Sequence, residues 1–300
     1  MKQIISISRW PTAFILGGLM FFASCKKDNS TQVNTPGQDS TSSVEVAQNE
    51  AGVSSQFDDV FDITMGVQAS DAGEDIGLGT GTDIMYRGQG TDSSTKCYTV
   101  TVVPDIPHQF PKTVTIDFGS GCLGKDGKLR SGKIVTIFTG PMKISGSKAS
   151  ATFINYTVDS FQVAGTYTVQ NTSSSNKQAW TIAVIDGKIS NTSSGRWVEW
   201  NATHERKLIK GNGTPDYNGD NVLQITGNSN GSNSNGRIWS SIITDPVIRK
   251  GGCKWRVKGQ VQITRKSNTH IALLDYGDGT CDNIATITVN GVTRTITLPR

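Results

Sequence analysis

Ala285-Thr286-Ile287-Thr288-Val289-Asn290-Gly291-Val292-Thr293-Arg294-Thr295-Ile296-Thr297-Leu298 is the stretch that decides the fold class. Apolar and polar residues alternate with period two, the repeat of a strand whose successive side chains point to opposite faces. Asn290-Gly291 supplies the two positive-φ residues of a type I′ turn, whose twist matches the strands it joins. Folded about that turn, Ala285, Ile287 and Val289 share a face with Val292, Ile296 and Leu298. Thr286, Thr288, Thr293, Thr295 and Thr297 take the other face, which reads as solvated sheet.

The same grammar extends upstream. Phe161, Val163, Tyr167 and Val169 alternate with Gln162, Thr166, Thr168 and Gln170, and Asp159-Ser160, Asp186-Gly187 and Ser194-Gly195 mark turns between short neighbouring runs. Thirty-three glycines in 300 residues, with 18% charged residues, suit strands and turns rather than helical bundles. The expected fold is mainly β, of α+β type: an antiparallel meander sheet over 96–300, curved or sandwich-like. One amphipathic helix should precede it, because Val53, Phe57, Val60, Phe61 and Met65 recur at helical spacing after Val46. Its Phe57, Val60 and Phe61 suit a sheet-covering face. Residues 46–95 then hold the helix and an irregular, Gly/Asp/Thr-rich loop.

Ile116-Asp117-Phe118-Gly119-Ser120-Gly121-Cys122 is echoed by Leu274-Asp275-Tyr276-Gly277-Asp278-Gly279-Thr280-Cys281. Each closing cysteine follows another that opens a β-patterned run, Cys97 and Cys253. Two hairpin copies, turning near residues 107–111 and 266–268, would bring Cys97 to Cys122 and Cys253 to Cys281, pairs suited to an oxidising compartment. Setting Cys253 opposite Cys281 puts Trp255, Val257, Val261 and Ile263 on one face with Ile271 and Leu273. Setting Cys97 opposite Cys122 sends Val100 and Val102 to the face opposite Ile116 and Phe118, a conflict that a bulge at 119–121 would remove.

Chemistry-bearing motifs are few. Asp216, Asn218 and Asp220 open like an Asp-x-Asn-x-Asp calcium loop, yet Asn221 stands where glycine is wanted and Gly227 where a bidentate Glu is wanted. Asp275, Asp278 and Asp282 are a second possible cation cluster, and both sets suit polar turns. Glu199 and Glu205 lie six apart on one strand, about 20 Å at 3.3 Å per residue, too far for a paired-carboxylate hydrolase. His108, His204 and His270 are scattered, and no Gly-x-Ser-x-Gly elbow is present. Trp197 and Trp200 should point to opposite faces of a strand, while Trp180, Trp239 and Trp255 fit a core. No enzymatic activity or obligate cofactor is expected, calcium being the one candidate ion.

At the amino terminus, Lys2 and Arg9 precede an apolar run over 12–22, too short to cross a bilayer and suited to a signal peptide. Phe22-Ala23-Ser24-Cys25 resembles a bacterial lipobox, with Phe22 where leucine is usual, and Ser24-Cys25-Lys26-Lys27-Asp28 is similar to lipoproteins of Bacteroidota. That resemblance, carried also by Cys97 to Val102, 116–122, 125–130 and 274–282, brings no activity with it. It implies cleavage after residue 24, lipidation of Cys25 and a polar tether over 25–45. The address would be the cell envelope, at the outer membrane or cell surface, with the membrane as partner through the acyl chains. Without Lys2 and Arg9, 27 of the 29 Lys+Arg face 25 Asp+Glu, a balance that offers no electrostatic footprint for nucleic acid. The expected role is a binding or structural module for a glycan or a protein. A lipid carrier with the helix over a curved sheet and a calcium-stabilised surface module are the alternatives.

Overall fold

A computed structural model describes residues 36–67, 76–78, 97–124, 126–175, 177–211, 221–267 and 270–299. Among the described residues a single helix, α1 (Pro36–Met65), precedes fourteen strands. They are β1 (Thr99–Val103), β2 (Lys112–Asp117), β3 (Cys122–Leu123), β4 (Leu129–Phe138), β5 (Lys148–Val158), β6 (Phe161–Asn171) and β7 (Ala179–Asn191). There follow β8 (Trp197–Lys210), β9 (Val222–Asn233), β10 (Ile238–Lys250), β11 (Lys258–Arg265), β12 (Ile271–Asp278), β13 (Ile284–Val289) and β14 (Val292–Thr297). All belong to one antiparallel sheet in which sequence neighbours pair, with β3 joining β4 off the main path. The fold is therefore one meander sheet, not a sandwich.

α1 starts at Pro36, inside the stretch expected as tether, with proline at its first turn where a missing N–H costs nothing. It stops before Gly66. Residues 56–61 are all buried, and at 100° per residue six consecutive positions cover the whole circumference of a helix. Only a curved sheet can cover it on every side. Neighbouring side chains reach opposite parts of that curve: Asp58 meets Arg206 of β8, and Asp59 meets Arg130 of β4. Val53, Phe57, Val60, Phe61 and Met65 join a core with β2 to β8, whereas Val46, Ala47 and Ala51 join one with β9 to β14.

Phe57 stacks between Tyr167 and Trp200, with ring centroids 5.9 and 5.6 Å away. The sheet makes room for it at Gly187, where a Cβ would lie 2.9 Å from the Phe57 ring and 2.7 Å from the Trp200 carbonyl. Trp180 and Trp239 are core residues and Trp255 is half-buried. The C-terminal hairpin turns at Asn290 and Gly291, both at positive φ, and Val289 pairs with Val292. Ala285, Ile287, Val289, Ile296 and Leu298 are buried, but Val292, beside the turn, is exposed.

Both disulfides, Cys97–Cys122 and Cys253–Cys281, are formed, with Cα separations of 5.4 and 5.6 Å. The register they suggested for the second hairpin needs correction. Val261 pairs with Leu274 and Ile263 with Ala272, so Ala272 and Leu274 face the core while Ile271 points out. The ladder slips between Lys258 and Gln260 at Gly259, whose φ of 102° glycine tolerates. In the first hairpin Val100 pairs with Ile116 and Val102 with Val114. The conflict vanishes because Cys122 lies outside β2: residues 119–121 break the strand, and Cys122 opens β3 opposite Arg130.

Candidate functional site

α1 is held by ionic and polar contacts as well as apolar ones. Asp58 accepts from Arg206 Nη2 and from Arg256 Nε at 3.1 Å. Asp59 accepts from Arg130 Nη2 at 2.5 Å, Arg130 Nε at 3.2 Å and Lys128 Nζ at 2.9 Å. Asp62 takes both terminal nitrogens of Arg249. Glu50 accepts from Trp200 Nε1 at 3.0 Å, Trp239 Nε1 at 2.8 Å and Ser229 Oγ at 2.7 Å. Each acid sits where the sheet presents donors inward, so buried charge is compensated.

Burial alone would raise the Asp58 carboxyl, but Arg256, Arg206 and more distant Arg249 outweigh it and hold it well below the usual carboxylate range. Arg130 and Lys128 do the same to Asp59 against its burial. His204, edge-on to Trp200, is pushed down to about 3 by burial and then by Arg256 and Arg206, so it is neutral at pH 7. These groups are fixed in the helix dock rather than open to a ligand.

The open feature lies along one side of the helix. Glu45, Gln48, Asn49, Gly52, Val53 and Gln56 follow the i, i+3, i+4, i+7 spacing of a single helix stripe and line a cleft of about 530 Å³. Phe161, Asn191, Arg196, Trp197, Asn233 and Asn235, from the ends of β6 to β9 and their turns, form the facing wall. The Glu45 carboxylate accepts from Asn233 Nδ2 at 3.0 Å and Asn235 Nδ2 at 2.5 Å. Lys188 Nζ lies 4.6 Å from the Trp197 ring centroid. Gln56 Oε1, buried in the helix wall, accepts no hydrogen bond within the described residues. A second cleft of about 460 Å³, lined by Lys143, Lys177 and Trp180 among others, lies around the β6–β7 connection and the end of β8.

The residues considered in the sequence for metal binding, lipidation or acid–base work stand apart from this cleft. Cys25 and the calcium-loop residues Asp216, Asn218 and Asp220 lie outside the described residues. Asp275, Asp278 and Asp282 each accept from their own turn, at Gly277 N, Thr280 N and Ile284 N. Among the described residues no three His, Cys, Asp or Glu side chains gather as a metal site. Glu199 and Glu205 pair with Lys188 and Lys207. Trp200 points inward and Trp197 outward, as the strand period requires. The polar helix stripe was missed, although its 45, 48, 49, 52, 56 spacing was the signal available.

No family model matches this chain, and neither the curated proteins nor the solved structures compared with it contain a match. Among the described residues no helix is long and apolar enough to cross a membrane.

Proposed function

We propose that this protein is an envelope-anchored binding module, not an enzyme, and that it holds a glycan in the cleft between α1 and the ends of β6 to β9. The cleft itself carries the reading. Its volume of about 530 Å³ falls in the range of roughly 300–1,000 Å³ common to small-ligand sites. Six amides line it: Gln48, Asn49, Gln56, Asn191, Asn233 and Asn235. An amide both donates and accepts, as a sugar hydroxyl does, and the Phe161 ring in the facing wall offers apolar surface to its C–H groups. The Glu199 and Glu205 carboxylates are engaged elsewhere, with Lys188 and Lys207.

The carrier alternative is opposed by the position of α1. Phe57, Val60 and Phe61 fill the concave face that an acyl chain would need. Calorimetric titration against a panel of oligosaccharides tests the binding reading: Gln48→Ala and Asn49→Ala should each weaken glycan binding by roughly tenfold, about 1.4 kcal/mol. Binding that both variants leave unchanged, or no binding across the panel, would overturn it.

A further inference from the structure

We infer that the Cys253–Cys281 disulfide is a redox-sensitive latch on the helix dock: a dithiol reductant that opens it loosens α1 from the sheet, and a disulfide oxidant restores the dock. The bridge joins the β10–β11 connection to the β12–β13 connection, at residues outside the strands. Just beyond Cys253 the chain delivers two consecutive side chains toward the helix. Trp255 Nε1 donates to the Pro299 carbonyl at 3.1 Å, and the Pro299 ring sits so close to Gly52 of α1 that a Cβ there would lie 3.0 Å from its Cγ. Arg256, which is buried, donates to the Asp58 carboxylate through Nε at 3.1 Å and Nη2 at 3.3 Å. Residues 253–257 therefore clamp α1 at Gly52 and at Asp58. Nothing in that chain of contacts requires a glycan, although the helix so held is one wall of the cleft.

The clamp has little backbone support of its own. Cys253 N donates to the Lys250 carbonyl at 3.2 Å and Val257 N to the Ile248 carbonyl at 2.9 Å, while Lys254, Trp255 and Arg256 form no backbone–backbone hydrogen bond among the described residues. The disulfide ties this segment covalently to the β12–β13 connection, with Lys250 Nζ on the Gly279 carbonyl at its base. A cross-link removes chain freedom that returns when it is cut. The two bridges also differ in access. Cys281 is exposed and Cys253 half-buried, whereas Cys122 of the other bridge is 1% exposed. Exchange requires a thiolate to reach a sulfur, so a reductant meets Cys253–Cys281 first. One thiolate of the dithiol attacks Cys281 Sγ, the S–S bond breaks, and Cys253 leaves as a thiolate that takes up a proton. The second thiol then displaces Cys281 from the mixed disulfide and closes the reductant into its own disulfide. The chain gains two electrons and two protons, which the dithiol gives up.

The test treats the intact protein with dithiothreitol under native conditions, maps free thiols with iodoacetamide, and follows α1 by amide hydrogen exchange in untrapped samples. Cys253 and Cys281 should become alkylated at least roughly tenfold faster than Cys97 and Cys122. Amides of residues 51–62 should then exchange at least roughly tenfold faster than in the oxidised protein, while β6 to β8 keep their protection, and oxidised glutathione should reverse the change. Arg256→Ala leaves Asp58 its bond from Arg206. Kept oxidised, that variant should show faster exchange in the same amides, and reducing it should add less than the parent's increase, because the latch acts through that side chain. Should that variant not fold, Cys253→Ser with Cys281→Ser is the permanently open form, and its α1 exchange should match that of the reduced parent. Prior opening of Cys97–Cys122, a reduced protein whose α1 exchanges as slowly as before, or α1 and β6 to β8 loosening together would refute the latch. So would a full parental increase on reducing Arg256→Ala. These readouts stand whether or not any oligosaccharide binds the cleft.

Discussion

Replacing Asp58 by alanine removes the carboxylate toward which Arg206 and Arg256 both point. The three side chains are 6%, 2% and 5% exposed, so solvent cannot take over its role. Breaking a buried ion pair by deleting one partner costs about 3–5 kcal/mol, because an uncompensated charge stays inside. Against a total stability of about 5–15 kcal/mol for a domain, that is a large fraction. At about 2–4 °C per kcal/mol for a chain of this size, the melting temperature should fall by roughly 6–20 °C. Urea unfolding followed by tryptophan fluorescence measures it directly, since Trp200 and Trp239 both report on the helix dock. Asp245→Ala, on an exposed position, should stay within about 0.5 kcal/mol. The pH arm has a definite sign. Asp58 and Asp59 are held below their usual range when folded, so their stabilisation is present above about pH 4 and is lost as pH falls further and the unfolded chain takes up protons first. Asp58→Ala should flatten that acid limb. A variant within about 1 kcal/mol of the parent, with an unchanged acid limb, would refute ionic docking of the helix.

Gly187→Ala would push a methyl against the Phe57 ring and the Trp200 carbonyl; a loss of about 1–3 kcal/mol is expected in the same unfolding assay. Cys253→Ala with Cys281→Ala opens a link spanning 28 residues, which chain entropy values at about 3.5 kcal/mol, measurable by thermal melting against the oxidised parent. His204 is neutral when folded and pushed down to about 3. The unfolded chain therefore binds a proton the folded one refuses, and stability should fall by about 1.4 kcal/mol per unit as pH drops from about 6.5 toward 3. His204→Asn should remove that slope in a stability–pH series. Cys25→Ser should abolish incorporation of labelled palmitate and release the protein from the membrane fraction.

The strands were legible because their inward rows are apolar: Val163, Tyr167 and Val169, or Ala285, Ile287 and Val289, announce a period of two directly. The helix face was legible for the same reason at Val53, Phe57 and Val60. What stayed hidden was the charged part of the core. Arg206, between His204 and Leu208 on β8, follows the inward parity of Trp200 and Ala202, but an arginine in that row reads as solvent-facing until its partner is known. That partner, Asp58, is 148 residues away, and Asp58 meets Arg256 across 198. Residues 42–45 read as tether because the helix there meets polar neighbours, Glu45 bonding to Asn233 and Asn235. The slip at Gly259 was invisible because the two cysteines used to set the register lie outside the strands. The cleft was hidden for a similar reason: its two walls belong to residues 45–56 and 161–235, which only the curvature of the sheet brings together.

Amide hydrogen exchange across residues 51–65 tests most directly whether the sheet encloses α1. Protection of those amides should match that of β7, β8 and β9 and should open with them, as one cooperative unit. Exchange of residues 51–65 orders of magnitude faster than those strands would mean that the helix is not enclosed, and the cleft built on its flank would go with it.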